Sequence, residues 1–452
     1  MHTKRHSLTE GSIWKSMLLF ALPVFLGNLF QQLYNAFDAW CVGYFIGDDA
    51  LAAVSSSGSL IFMMVSFFQG LSMGAGVIIA RYFGARQYTS MRKAIHTSIA
   101  FGLVVGVVLT ALGVALTPTI LRWMGTPAEV LPRSISYFRY YFFGAIFIVM
   151  YNIFVGILHA VGDSKHPLYY LIVSTFVNIG LDVLFVGVFH LDVGSAAVAT
   201  TISQGVSALL CCIHLLRVDA PYQVKLKEVA FDKKSLLEII RYGFPSGVQN
   251  SVIAFANVVV QSNINSFGKA AMAGCGSYSK LEGFVFLPVT CFSQALSTFV
   301  GQNLGAGNHR RVKKGIGFGI ACSCLIAELV GGISYLISPQ LIGLFCETQE
   351  AIDFGVRHMR TICLFYFLLA FSHCVASILR GAGKSTVPMF IMLACWCVVR
   401  VSYITIAVKL VNELTTVSWA YPISWSLSSI IFLVYLLKAD WIHTFDRQTE
   451  KA

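Results

Sequence analysis

Residues Ile378–Pro388 read ILRGAGKSTVP, and Ile157–Pro167 read ILHAVGDSKHP. Taken alone, GAGKST at Gly381–Thr386 looks like the end of a phosphate-binding loop. Such a loop needs G-x-x-x-x-G-K-[ST], because its first glycine closes the turn that aims backbone N–H groups at phosphate. Here the position five before Gly383 is Ile378, and the run ahead, LFYFLLAFSHCVASIL, is too long and apolar for the strand that precedes a P-loop. Spacing and context exclude a nucleotide site. The second stretch explains the first: a shift of 221 residues lays Ile157-Leu158, Gly162, Ser164 and Pro167 on Ile378-Leu379, Gly383, Ser385 and Pro388. One turn between two helices occurs twice.

Moving outward at the same shift, Ser72 falls on Ser293, Gly84-Ala85 on Gly305-Ala306, Lys93 on Lys314, Pro118 on Pro339, and Glu129 and Arg139 on Glu350 and Arg360. With one residue slipped in the first loop, Pro23, Asn28 and Asn35 fall on Pro245, Asn250 and Asn257. The chain is therefore an internal repeat. Apolar runs of about 20 residues, the length that crosses a bilayer, number twelve, from Met17–Ile46 to Val417–Leu437. Six per half is an even number, so the halves share one orientation about an axis along the membrane normal, a transporter architecture with its site near mid-membrane.

Composition agrees. Residues are 56% hydrophobic and 12% charged, against roughly 25% charged in soluble domains. The expected class is an all-α polytopic membrane protein of two six-helix lobes: 1–216, a charged cytoplasmic linker 217–241 that is partly an amphipathic helix, 242–437, and a tail 438–452. The basic, polar start MHTKRHSLTEGSIWKS reads as no removable signal peptide. With the amino terminus inside, 23 Lys and Arg lie on the cytoplasmic side and 7 opposite, which predicts both termini in the cytoplasm of a bacterial-type plasma membrane. The net charge of +11 then needs no nucleic acid, since Lys233-Lys234 and Arg310–Lys314 flank helices where anionic lipid anchors them. The twelve cysteines form no C-x-x-C, and most lie in apolar runs as small hydrophobes.

RYFGARQ at Arg81–Gln87, QNLGAGN at Gln302–Asn308, LYNAFD at Leu33–Asp38 followed by Val42-Gly43, and SKLEGFVFLP at Ser279–Pro288 together resemble the multidrug and toxic compound extrusion (MATE) family, across essentially the whole chain. The resemblance implies a cation-coupled antiporter that exports amphipathic, often cationic or aromatic compounds by alternating access, without ATP and without enzymatic chemistry.

A charge at mid-membrane costs about 2.5–3.5 kcal/mol on insertion scales and is a functional candidate by default. Here these are Asp38, Asp182, Lys280, Glu282, Glu328 and Arg400. The acidic set belongs to the amino half, because repeat-equivalent positions carry Val260 for Asp38, Val399 for Asn178 and Tyr403 for Asp182. Asn178 and Asp182, four apart, share a helix face. Asp182 lies about 21 Å along its helix, in the outer half with Asp38, and Thr200 and Thr201 begin the returning sixth helix. Two carboxylates, an amide and a hydroxyl suit a hard cation or shared protons. The expected cation-coupling set is Asp38, Asn178, Asp182, Thr200 and Thr201, with Na+ able to sit at Asp38, Asn178 and Asp182. The resemblance to the DinF-like branch implies the same site.

Phe37, Met63, Met64, Tyr151, Phe154, Lys280 and Glu282 are the expected substrate-cleft residues, with Phe67, Phe147, Phe255 and Phe284 as further aromatic candidates. Glu282 could instead pair with Arg400, Glu328 could be a structural ion pair, and His373 reads as a hydrogen-bonded core residue. No cofactor is expected beyond a coupling ion, H+ or Na+; the partners are small molecules and lipid, and the protein acts as a monomer. A lipid-linked saccharide flippase is the alternative, against which twelve helices and an acidic cavity speak. A membrane-embedded enzyme lacks H-E-x-x-H or G-x-S-x-G.

Overall fold

In the computed structural model the structure describes residues 7–46, 48–123, 129, 131–346 and 348–444, with backbone alone at 48–64, 123 and 444. Every regular element among them is helical: α1 Ile13–Phe45, α2 Asp48–Gly84, α3 Tyr88–Trp123, α4 Leu131–Phe143, α5 Ala145–Ala160, α6 Lys165–Asp182, α7 Gly194–Arg217, α8 Lys233–Asn265, α9 Lys269–Gly305, α10 His309–Leu336, α11 Ser338–Gly343, α12 Gln349–Cys363, α13 Tyr366–Gly381, α14 Thr386–Met392, α15 Arg400–Leu410 and α16 Leu414–Lys438. Among the described residues eight spans are long and apolar enough to cross a membrane, two of them, α6 and α14–α15, carrying π-helical turns. The pairs α4–α5 and α12–α13 are each one apolar span bent by 44° and 53°. The long helices α2 and α8, diluted by serine, glycine, glutamine and asparagine, complete the twelve.

The bends have causes. At Gly144, between α4 and α5, a Cβ would collide with the Thr201 side chain, and the Thr201 hydroxyl donates to the Tyr140 carbonyl at 3.2 Å. A side chain thus inserts where the helical ladder breaks. In the second half, Glu328 accepts the Phe367 N–H at the start of α13 at 3.3 Å, satisfying a backbone donor the break exposes.

The repeat is written in the backbone as well. Gly162 and Gly383 both take a left-handed φ, +89° and +76°. Asp163 N–H bonds the Leu158 carbonyl and Lys384 N–H the Leu379 carbonyl, at 2.9 and 2.8 Å. GAGKST is thus a glycine-capped helix end, twice used. Arg86 and Gly307, also 221 apart, are a second left-handed pair.

The chain forms two compact units, and they do not follow the sequence order expected of lobes 1–216 and 242–437. Unit 1 holds Met1–Ser7 and Leu26–Gly247; unit 2 holds Leu8–Phe25 and Val248–Ala452. Both leading helices change unit two residues beyond a proline, Pro23 and Pro245, where the ladder loses a donor. The reason is packing. Within unit 2, Met17, Phe20, Ala21 and Val24 are buried with Leu296 and Phe299. The segment ahead is pinned by Gln302, which accepts the Leu8 N–H at 3.0 Å, and by Arg311, which donates to the Leu8, Glu10 and Gly11 carbonyls. Within unit 1, Ile239 and Tyr242 of α8 enter the core with Ala75, Ile78 and Ile79 of α2, and a Cβ on Gly74 would collide with the backbone of Gly243.

The stretch 217–241, expected as a charged and partly helical linker, is packed within unit 1. The turn at Leu226–Glu228 is three residues of 3-10 helix and α8 already begins at Lys233. Arg92 and Lys93 pair with Glu228 and Asp232 at 3.5 and 3.7 Å, while Thr97 donates to the Ala230 carbonyl.

Candidate functional site

Four helices of unit 1, α1, α4, α6 and α7, bring the acidic residues together. Asp38, Asn178 and Asp182 are 8%, 1% and 0% exposed, and Thr200 is also buried. Asp182 feels the charge of Asp38. It ends the regular part of α6, and the next six residues, Val183–Val188, are a π-helical turn, an insertion frequent at functional sites.

What distinguishes this place is unmet hydrogen-bonding capacity. Among the described residues, Asp38 Oδ1, both carboxylate oxygens of Asp182, both amide atoms of Asn178 and Gln204 Oε1 are buried with no hydrogen-bond partner. Buried polar groups in proteins are paired almost without exception. No Lys or Arg pairs with either aspartate among the described residues. Six such atoms in one neighbourhood demand a proton, a cation or water, and the donors are nearly all oxygen, which suits hard cations and protons and not soft metals.

The structure adds residues the sequence reading passed over. Gln204 donates to the Tyr34 hydroxyl at 3.3 Å, and Tyr34 and Tyr137 both lie within electrostatic reach of Asp38 and Asp182, as does Tyr141 of Asp38. Helical spacing held the signal: Tyr34 is one turn before Asp38, Gln204 one turn after Thr200, and Tyr141 one turn after Tyr137. Thr200 and Thr201 part company. The Thr200 hydroxyl donates to the Ala196 carbonyl at 3.1 Å, whereas the Thr201 hydroxyl donates to the Tyr140 carbonyl at the α4–α5 break.

The cleft candidates differ in their surroundings within each unit. Tyr151 and Phe154 are buried in the α5 core. Phe37 is half-buried against Trp40, 5.5 Å between ring centres, and Phe67 packs edge-on to Phe244 at 6.2 Å. Phe147, Phe255, Phe284 and Lys280 are exposed, Lys280 lying 5.4 Å over the Phe345 ring. The side chains of Met63 and Met64 lie outside the described residues.

Unit 2 carries the opposite arrangement. Arg400 is buried, donating to Ser424 at 2.9 and 3.1 Å and to Asn257 at 3.4 Å, with Trp396 and Tyr421 rings 5.3 and 4.5 Å from the guanidinium. Glu282 accepts from Tyr278 at 3.2 Å. The two are close enough to feel each other's charge but form no direct ion pair among the described residues. Nor does Glu328, whose partner is a backbone donor. His373 lies between Phe286 and Trp396, and its Nε2 has no hydrogen-bond partner among the described residues. Where the carboxylates of Asp38 and Asp182 keep buried oxygens unmet, the Glu282 carboxylate and the Arg400 guanidinium of unit 2 each find a hydrogen-bond partner.

The MatE family profile matches residues 23–184 and 245–406, two equal stretches whose offset is within one residue of the internal repeat. The chain is 31% identical over 437 residues to a probable multidrug resistance protein, YoeA, of Bacillus subtilis, covering 94% of each. It is 27% identical to a second, YpnP, covering 88% of this chain and 89% of that one. A solved structure described as the outward-facing conformation of a multidrug resistance MATE family transporter superposes with a TM-score of 0.91 at 24% identity, over 98% of this chain and 99% of the other; that likeness concerns the fold.

Proposed function

Because the chain belongs to the MatE family of multidrug efflux transporters, we propose that it drives export of amphipathic, cationic or aromatic compounds by antiport with H+ or Na+ at the Asp38–Asp182 pair. One observation carries the reading: the six buried polar atoms of Asp38, Asn178, Asp182 and Gln204 that find no partner among the described residues. Two unpaired carboxylates buried together repel each other and forgo solvation. A bound proton or cation relieves both costs, and its departure restores them.

Asp38, Asp182 and the Asn178 amide oxygen would hold Na+, with Tyr34 and Gln204 orienting the pair through their mutual hydrogen bond; a proton would sit on one carboxylate facing the other. Coupling then follows from occupancy, because the charged and neutralised pocket differ in the conformation they favour, and a ligand shifts an equilibrium only by such a difference. The charge bias of the loops supports cytoplasmic termini in a bacterial-type plasma membrane. The unit acts as a monomer without nucleotide.

The test is efflux of a fluorescent cationic dye from proteoliposomes under an imposed pH gradient and, separately, an imposed Na+ gradient. One of them should drive dye against its concentration. Dye movement indifferent to both gradients refutes cation coupling.

A further inference from the structure

A second polar cluster lies at the opposite end of α6 from the carboxylate pair, and the transport reading does not use it. Asp163 sits in the turn between α5 and α6, His166 in the first turn of α6 and His214 in the last turn of α7. Their ligand atoms all lie within 4.8 Å of one another. Asp163 Oδ2 is 2.6 Å from His166 Nδ1 and 3.8 Å from His214 Nε2, and the two imidazole rings are 4.1 Å apart between centres. We propose that Asp163, His166 and His214 form a site for one zinc-class divalent cation that staples the α5–α6 turn to the end of α7.

Three features support it. First, two imidazoles and a carboxylate are the donor set of a three-ligand zinc site with an open fourth position. Ligands about 2.05 Å from a tetrahedral metal stand roughly 3.3 Å apart; the two separations from Asp163 are 2.6 and 3.8 Å and all three pairs lie within 4.8 Å, so side-chain rotation would close the set on a metal. Second, the carboxylate is already aimed: its Oδ1 accepts the Lys165 and His166 backbone N–H groups at 3.2 Å each, which leaves Oδ2 turned to the rings, the kind of outer support that orients metal ligands. Third, His214 Nε2 is buried without a hydrogen-bond partner, a lone pair available to a metal. Two imidazoles also disfavour Mg2+ and Ca2+, which take oxygen ligands.

The repeat shows that the cluster is no requirement of the turn. The second half makes the same turn with Lys384, Val387 and Tyr435 at the positions of Asp163, His166 and His214. Binding would displace the proton His166 shares with Asp163 from Nδ1, the ring keeping a proton on Nε2, so affinity should fall in acid.

The experiment uses the full-length protein in detergent, stripped with chelator and titrated with ZnCl2, with bound metal counted by mass spectrometry. Twelve cysteines can also bind zinc, so the readout is the difference between wild type and His166→Val or His214→Tyr, each installing the residue the other half tolerates. Wild type should hold one more equivalent than either variant, and its affinity at that site should exceed theirs by more than the about 10–100-fold that loss of an outer-shell partner costs. Co2+ in place of Zn2+ should give a tetrahedral visible spectrum in wild type alone, and Zn2+ should raise the unfolding temperature of wild type alone. Equal stoichiometry and equal spectra in wild type and in either variant that elutes as a monodisperse species overturn the proposal.

Discussion

Replacing Asp182 by asparagine keeps the shape of the side chain and removes its exchangeable charge. The residue is fully buried, both oxygens lack partners, and no cation of the chain faces it among the described residues. Folding should therefore survive: a charged carboxylate at mid-membrane costs about 2.5–3.5 kcal/mol and an unpaired amide costs less than a charge, so the unfolding temperature should hold or rise. Transport should not survive as a concentrative process. With one ion exchanged per cationic dye no net charge crosses, so the ion gradient alone is the driving force: a roughly fifty-fold gradient stores about 2.3 kcal/mol at about 1.4 kcal/mol per decade and supports a roughly fifty-fold dye ratio. In proteoliposomes with that driving force the wild type should approach such a ratio, and Asp182→Asn should equilibrate dye near unity while still binding it. Asp38→Asn should behave alike, and the double variant should add little because the carboxylates form one coupled site. An Asp182→Asn protein that still concentrates dye under either gradient would refute the reasoning.

Other outcomes follow from particular contacts. Thr201→Val should leave ion coupling intact and lower thermal stability, since its hydroxyl serves the α4–α5 break; Tyr34→Phe, which removes the hydroxyl that accepts from Gln204, should instead shift the apparent affinity for the coupling ion. Lys384→Ala should transport normally and bind no ATP, whereas Gly383→Ala, forced to φ +76°, should lose about 1 kcal/mol, visible as a lower unfolding temperature. Asp232 accepts the Ser235 N–H and hydroxyl at 3.0 and 2.9 Å, bonds that hold its carboxyl below the usual range. Its stabilisation of the α8 start is present above the ordinary carboxylate pKa and lost as pH falls through the lowered one; Asp232→Ala should cost about 1 kcal/mol near neutral pH and less in acid, read by thermal unfolding against pH.

Much of this protein was legible one residue at a time. Apolar runs announce membrane helices because hydrocarbon admits no unpaired backbone. The twin turns at Gly162 and Gly383 betray the repeat because only a few residue types tolerate a left-handed cap. The isolated carboxylates Asp38 and Asp182 mark a candidate site because burying charge is costly. Tertiary packing decided the rest. Adjacent in sequence, Thr200 and Thr201 point a hundred degrees apart on a helix, and only the neighbour at Gly144 determines which of them meets the break. Tyr34, Tyr137 and Gln204 carry no charge, so nothing local sets them apart from dozens of amphipathic residues until four helices converge. Leu8–Phe25 and the start of α8 join the units they do because an apolar stripe is buried against whichever surface covers it, a choice made by shape and not by order along the chain. His166 and His214, 48 residues apart, become a pair only when α6 and α7 lie side by side.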